Sequence, residues 1–178
     1  MTYDAKQTFE LVDAICCAGG KRREELMRKF FATVDASHFD KDKGEGTLQS
    51  PFLQVIENGD LEMATKMLAL GANVNARRGK AWTMLHYAIK AQKLQMVELL
   101  IKYGADVNAL ERMEPSTTPV DPYEALINPA KYQRANGTIT PLDRCDMLNP
   151  AHPEMRNVLI KAGAKKLDGR IWLGEHLP

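Results

Sequence analysis

The chain has 178 residues, with 24 Lys and Arg against 23 Asp and Glu, for a formal charge of +1. That length fits one domain, or one core with an appendage. The even charge speaks against general affinity for nucleic acid or an anionic membrane, both of which need a basic excess on one face. No window approaches the roughly 18 consecutive apolar residues of a transmembrane helix, and the N-terminal charges follow the apolar run, the reverse of a secretory signal. The expected location is the cytoplasm, or a host cytoplasm reached without a Sec-type signal. Cys16 and Cys17 are adjacent and Cys145 is distant, so neither a disulfide framework nor a zinc spacing is present. Neighbours on a helix point about 100° apart, so at most one of the pair faces a core, and all three read as inert, partly buried thiols.

In chain order, apolar residues from about Phe9 to Cys17 predict a helix, and Gly19-Gly20 a break. Leu26, Phe30 and Phe31 predict a second helix. The polar, alternately charged stretch "DKDKGEGTLQ", residues 40–49, reads as an exposed loop within a 37–49 connection. Ser50 then opens "SPFLQVIENGDLEMATKMLALGANVNA", and Thr83 opens "TMLHYAIKAQKLQMVELLIKYGADVNA", 33 positions later (83 − 50). In the second unit Leu85, Ala88 and Ile89 form one helix face, and Leu94, Val97, Leu100 and Ile101 form another. Gly104 suits the left-handed C′ position that ends such a helix. Two short helices cannot bury these faces alone, whereas stacked copies can.

A third unit, "TPLDRCDMLNPAHPEMRNVLIKAGAKK", opens at Thr140, 57 positions after Thr83 (140 − 83) and 24 beyond the period. The excess lies in residues 110–139, "LERMEPSTTPVDPYEALINPAKYQRANGTI". Two further residues sit inside the third unit, around "LNPAHPEM". The insertion holds Pro115, Pro119, Pro122 and Pro129 with Met113, Tyr123, Leu126, Ile127 and Tyr132. Asp121-Pro122-Tyr123-Glu124 has the order of a helix start. An ordered excursion with short helical turns is expected. The tail "LDGRIWLGEHLP" bears a turn signal and an Ile171-Trp172-Leu173 cluster, and is expected to fold back as a cap over the open end, at 167–178.

These residues resemble the ankyrin repeat. "TMLHYAIKAQKLQMVELLIKYGADVNA" is close to its pattern of a T-P-L-H helix opening, an outer helix and a G-A-D-V-N-A turn. The Ser50 and Thr140 units are degenerate versions of it. The resemblance runs from Ser50 to Ala164 and implies an all-α solenoid of paired antiparallel helices with hairpin fingers. Repeats would lie at 50–82, 83–109 and 140–166, with the insertion in a finger beside the concave face. Residues 1–36 then read as a divergent N-terminal capping repeat, with Thr33-Val34-Asp35-Ala36 standing for the Asn-Val-Asn-Ala turn, or else as a plain helical hairpin.

Little in the chain reads as an active site. The resemblance gives His86 a structural task, bonding neighbouring turns, and Asp143 at the equivalent place would weaken that bonding. Cys145 lacks a well-placed histidine, His152 lying in a proline-bearing connection. His38, His86, His152 and His176 show no metal spacing. Asn136-Gly137-Thr138 reads as a turn, and Pro115 to Pro119, "PSTTP", is a motif common by chance. No catalytic residue, metal or cofactor is expected.

A binding surface is expected instead, at the finger tips and the solvent side of the first helices. The resemblance places Gln49, Glu57, Asn58, Arg77, Arg78, Lys80, Trp82, Lys90, Ala91 and Tyr103 there, with Met113, Tyr123, Tyr132 and Arg134 from the insertion. Trp82 is the expected anchor, unless the insertion covers it. Arg77, Arg78 and Lys80 form a basic finger, suited to an acidic patch on a partner or simply solvated. The expected function is that of a non-catalytic protein-binding module, monomeric alone, that inhibits, sequesters or tethers its partner, as a stand-alone inhibitor or a bacterial effector adaptor would. The alternative is a small enzyme or ligand-binding protein with a site between insertion and groove, using Asp143, Cys145, Tyr132 and Arg134.

Overall fold

The computed structural model describes residues 5–40, 50–78, 82–112, 138–148 and 152–166. Helices pair in sequence: α1 (Ala5–Cys17) with α2 (Gly20–Thr33), and α3 (Pro51–Asn58) with α4 (Leu61–Ala69). They continue with α5 (Met84–Lys90) beside α6 (Leu94–Lys102), and α7 (Pro141–Asp146) beside α8 (Pro153–Lys161). The first helices stack, α1 on α3, α3 on α5 and α5 on α7, while α4 packs on α6 and α6 on α8. Two short antiparallel hairpins project between pairs. One joins β1 (Arg77–Arg78) to β2 (Trp82–Thr83), the other β3 (Glu111–Arg112) to β4 (Thr138–Ile139). The chain is an all-α repeat solenoid with hairpin fingers.

The three units from Ser50 onward are built by the same local chemistry. The first helices open on a hydroxyl: Ser50 Oγ accepts from Leu53 N–H at 3.2 Å, and Thr140 forms a capping box with Asp143, satisfying donors that a helix start leaves open. The second helices close on glycine. Gly71, Gly104 and Gly163 have φ of 103°, 87° and 88°, which side-chain-bearing residues avoid. The N–H of the following Ala72, Ala105 and Ala164 reaches back to Met67, Leu100 and Leu159 carbonyls, each at 2.9 Å. This is the Schellman closure. The damaged third phrase therefore keeps its glycine and its buried alanine, while Lys165 and Lys166 stand where Asp106 and Val107 stand in the second unit.

Burial follows the repeat until the last unit. Ile56 and Ile89, 33 apart, are both fully buried between units, as are Ala64 and Val97. The residues at the same places in the third unit are Asp146 and Arg156, both exposed and paired at 3.0 Å. Lys166 also pairs with Asp146. The outward face of that unit is thus an ion cluster where the interior units carry apolar contact, as the end repeats of stacked arrays require.

The N-terminal pair departs from the pattern at its turn. α2 ends on Val34 in extended conformation, with no left-handed glycine. Asp35 accepts from Ser37 N–H at 2.8 Å, as Asn73 does from Asn75 and Asp106 from Asn108. The turn thus sits two residues later than the alignment of Thr33-Val34-Asp35-Ala36 with Asn73-Val74-Asn75-Ala76 expects. Asp40 then reaches the next unit, accepting from Asn73 N–H at 2.9 Å.

One position carries strain. The α3–α4 corner turns on Gly59, φ 76°, but its partner 33 residues on is Gln92, φ 56°. A left-handed conformation costs a side-chain-bearing residue about 1–2 kcal/mol. Gln92→Gly removes that cost but loosens the unfolded chain by about 0.4–1 kcal/mol. A net gain of about 0.5–1 kcal/mol in denaturant unfolding is expected; a lower midpoint would mean that the Gln92 side chain supplies contacts worth more than the strain.

Candidate functional site

The solvent side of the first helices carries one continuous row, with one residue from each. Gln54, Tyr87 and Arg144 recur at the repeat positions, and Asp13 joins them from α1. Gln54 Nε2 donates to Asp13 Oδ1 at 2.8 Å. The Tyr87 ring lies 5.1 Å from that of Trp82, tilted by 55°. The Arg144 guanidinium stands 4.3 Å from the Trp82 centroid, and Lys90 Nζ 5.3 Å from it. A second row, one helical turn further on, is Glu57, Lys90 and Met147, all exposed.

Packed against Trp82 is a largely buried ion pair. Glu111 is 1 % exposed, and Arg144 grips it with both arms of its fork, Nε at 3.2 Å from Oε2 and Nη2 against Oε1. Bidentate guanidinium–carboxylate contact is the strong form of this interaction. It ties β3 to α7, and the stacked Trp82 ties both to β2. Arg77 Nη1 adds a bond to the Leu110 carbonyl at 2.9 Å, finger to finger.

The sequence-predicted positions divide accordingly. Glu57, Asn58, Lys90 and Tyr103 are exposed, with Tyr103 on the second-helix side at the end of α6. Trp82 is only half-buried, and its covering groups are Tyr87, Lys90 and Arg144. Arg77 is engaged with the neighbouring finger. Gln49, Lys80, the Arg78 side chain, Met113, Tyr123, Tyr132, Arg134 and the 167–178 cap lie outside the described residues, as does most of the insertion. The stem of the insertion is described. Glu111 pairs with Ile139 as Arg78 pairs with Trp82, so Arg112 and Thr138, which flank the insertion, stand at the tip of an ordinary finger. Gln54, Tyr87, Arg144 and Glu111 were not picked out from the sequence. Carrying the offsets of 33 and 57 from Gln54 would have found the first three; Glu111 gives no signal, because its partner is set by tertiary packing.

The polar groups considered for chemistry have other tasks. Resemblance alone gave His86 bonds to neighbouring turns, and the geometry corrects this. His86 Nδ1 accepts from Thr83 N–H at 3.3 Å and lies 2.8 Å from the Thr83 hydroxyl, so the ring caps its own helix. The neutral ring keeps its proton on Nε2, which is buried and has no partner among the described residues. Asp143 makes the same cap with Thr140, so the replacement preserves this role and does not weaken it. Cys145 is 1 % exposed, and burial pushes its thiol pKa up, with Asp146 adding to the effect. Burial raises the Cys16 thiol also, against a hydrogen bond from Asn58. Thiols held in this way are poor nucleophiles. Among the described residues, no group of three His, Cys, Asp or Glu could hold a metal ion, and no helix is long and apolar enough to cross a membrane.

A family model for ankyrin repeats, in three copies, matches residues 14–111, over half of the chain. The chain is an ankyrin-repeat protein. The match starts inside α1, upstream of Ser50, and ends at Glu111; the ankyrin geometry of the 140–166 unit rests on its capping box, its Schellman closure and its packing on α5 and α6. Similar ankyrin-bearing proteins include the human ankyrin repeat and SOCS box protein 6, 34 % identical over an alignment of 127 residues that covers 62 % of this chain and 30 % of that protein. The human 2-5A-dependent ribonuclease is 36 % identical over 55 residues, 30 % of this chain and 7 % of its own length. Alpha-latrotoxin-Lg1a of Latrodectus geometricus is 36 % identical over 62 residues, 33 % of this chain and 4 % of the toxin. The chain spans under a third of the length of each. Ankyrin repeats generally mediate protein–protein interaction and are generally non-catalytic.

His86 sets a pH limit on this ankyrin stack. Burial, helped by Arg144 and Arg77, lowers the His86 pKa from 6.5 to about 4. The unfolded chain therefore binds the proton first as pH falls, and stability present above about pH 6.5 is lost on the way down to about pH 4. The difference amounts to about 3 kcal/mol at full protonation. His86→Gln should flatten the fall in urea midpoint between pH 6.5 and pH 4; an unchanged slope would assign the acid loss to the carboxylates.

Proposed function

We propose that this chain is a non-catalytic module that binds a partner protein across the row Asp13–Gln54–Tyr87–Arg144 and acts by occupancy, inhibiting, sequestering or tethering that partner. The reading assigns residues 1–36 to an N-terminal cap and 167–178 to a C-terminal cap, and takes the module as monomeric alone and cytoplasmic, in its own cell or a host's. What supports it is the row itself: four successive helices offer polar and aromatic side chains on one side while their other faces form the core. An aromatic pair flanked by a cation is the composition of interface anchors. The insertion, rooted at a finger tip, adds contacts at one edge of the groove. The enzyme alternative loses two of its four residues to structural work, since Asp143 caps α7 and Cys145 is buried.

Capture of cellular proteins on the immobilised chain, followed by mass spectrometry, identifies the partner. Tyr87→Ala should then weaken its binding roughly 5- to 30-fold, the range of an anchor worth about 1–2 kcal/mol, with circular dichroism unchanged. Glu98→Ala on the second-helix side should leave binding intact. Equal binding by Tyr87→Ala, or loss through Glu98→Ala, would move the interface off this row.

A further inference from the structure

The rows on the first helices are not uniform in charge, and the difference has a direction. At the α1–α3 end stand two carboxylates, Asp13 and Glu57; at the α5–α7 end stand Lys90, the Trp82 and Tyr87 rings, and Arg144. Asp13 is joined to the neutral Gln54, which leaves its charge in place. Arg144 is matched by Glu111, so among the described residues of these two rows Lys90 is the cation turned to solvent. Glu57 and Lys90 occupy the same repeat position, 33 residues apart, and are therefore one repeat apart in space.

From this arrangement we infer that the groove takes an extended segment of the partner with a basic residue over Glu57 and a carboxylate over Lys90, beside the aromatic pair. The inference rests on the reading of the first-helix row as the binding surface and adds the chemistry of the occupant. Packed helices stand about 8–10 Å apart. A polyproline-II segment has three residues per turn and a rise of about 3.1 Å, so its residues i and i+3 point the same way about 9 Å apart. That matches one repeat. The exposed strip is narrow, two rows three residues apart on each helix, or about 4.5 Å along the helix axis. An extended chain fits such a strip, whereas a helix about 10–12 Å across overhangs it. A polyanion such as nucleic acid or an anionic lipid surface meets Lys90 favourably but is repelled by Asp13 and Glu57.

The probes are hexapeptides, acetylated and amidated, carrying paired residues three positions apart: lysine with glutamate in both orders, two glutamates, or two lysines. Binding is read from amide shifts of the labelled, full chain. Wild type should prefer the better of the mixed peptides by about two- to five-fold, the range of one exposed ion pair, with shifts at Glu57 and Lys90 that fade as salt is raised. Glu57→Lys should transfer the preference to the two-glutamate peptide, and Lys90→Glu to the two-lysine peptide. Both residues are exposed, so the fold is not at stake. If first-helix amides shift but charge preference ignores both substitutions, the concave face stands and the charge reading falls. If no first-helix amide responds to any probe, both fall.

Discussion

Two asparagine side chains hold the successive units in register. Asn75 donates from Nδ2 to the Gly104 carbonyl at 3.2 Å and accepts at Oδ1 from Asp106 N–H at 2.8 Å. Asn108 repeats both contacts across the insertion, with Gly163 at 3.2 Å and Lys165 at 2.8 Å. A carboxamide is suited to this because it offers donor and acceptor together. Each bridge needs the next glycine turn in one conformation, and each glycine turn is made by the end of a second helix. The position of every first helix, and of the row it displays, follows from that chain of dependence. At the N-terminal end Asp40 accepts from Asn73 N–H, and its carboxylate has no donor to add as the carboxamide does.

The insertion is accommodated because it enters where no bridge is broken. The Asn108 contacts lie before it and the Thr140 cap lies after it, while Glu111 and Ile139 close its neck. The Glu111–Arg144 pair then does what a short finger loop does elsewhere: it fixes the stem against the stack. Removing one partner of a buried pair leaves a charge without compensation, which is costlier than never having had the pair. This coupling also fixes Trp82, so the aromatic part of the first-helix row and the root of the insertion form one unit.

The solenoid was legible because its signal is redundant. Period, helix faces, hydroxyl caps and glycine turns each pointed to the same units, and even the damaged third phrase kept its glycine. The first-helix row was only half legible. Glu57 and Lys90 follow from phase, whereas nothing local announces that Arg144, 62 positions later (144 − 82), stacks on Trp82. Arg77 looked like an available charge for the same reason, its acceptor being a carbonyl on the next finger. The end face hid in plain view: Asp146 and Arg156 are polar in positions where two earlier units are apolar, a contrast visible only after the units are aligned across an irregular spacing. Capping by His86 and Asp143 was misassigned because family resemblance describes a side chain's usual partner, whereas the nearest donor decides it.

If the asparagine bridges carry the stack, losing one should uncouple neighbours and leave distant units alone. Native-state hydrogen exchange on Asn108→Ala measures this directly. The account predicts faster exchange at Cys145 and Leu159 in α7 and α8, with protection at Val55 and Met67 in α3 and α4 retained, since units in such arrays depend on their neighbours. Equal acceleration across all four helices, or none in α7 and α8, would contradict it.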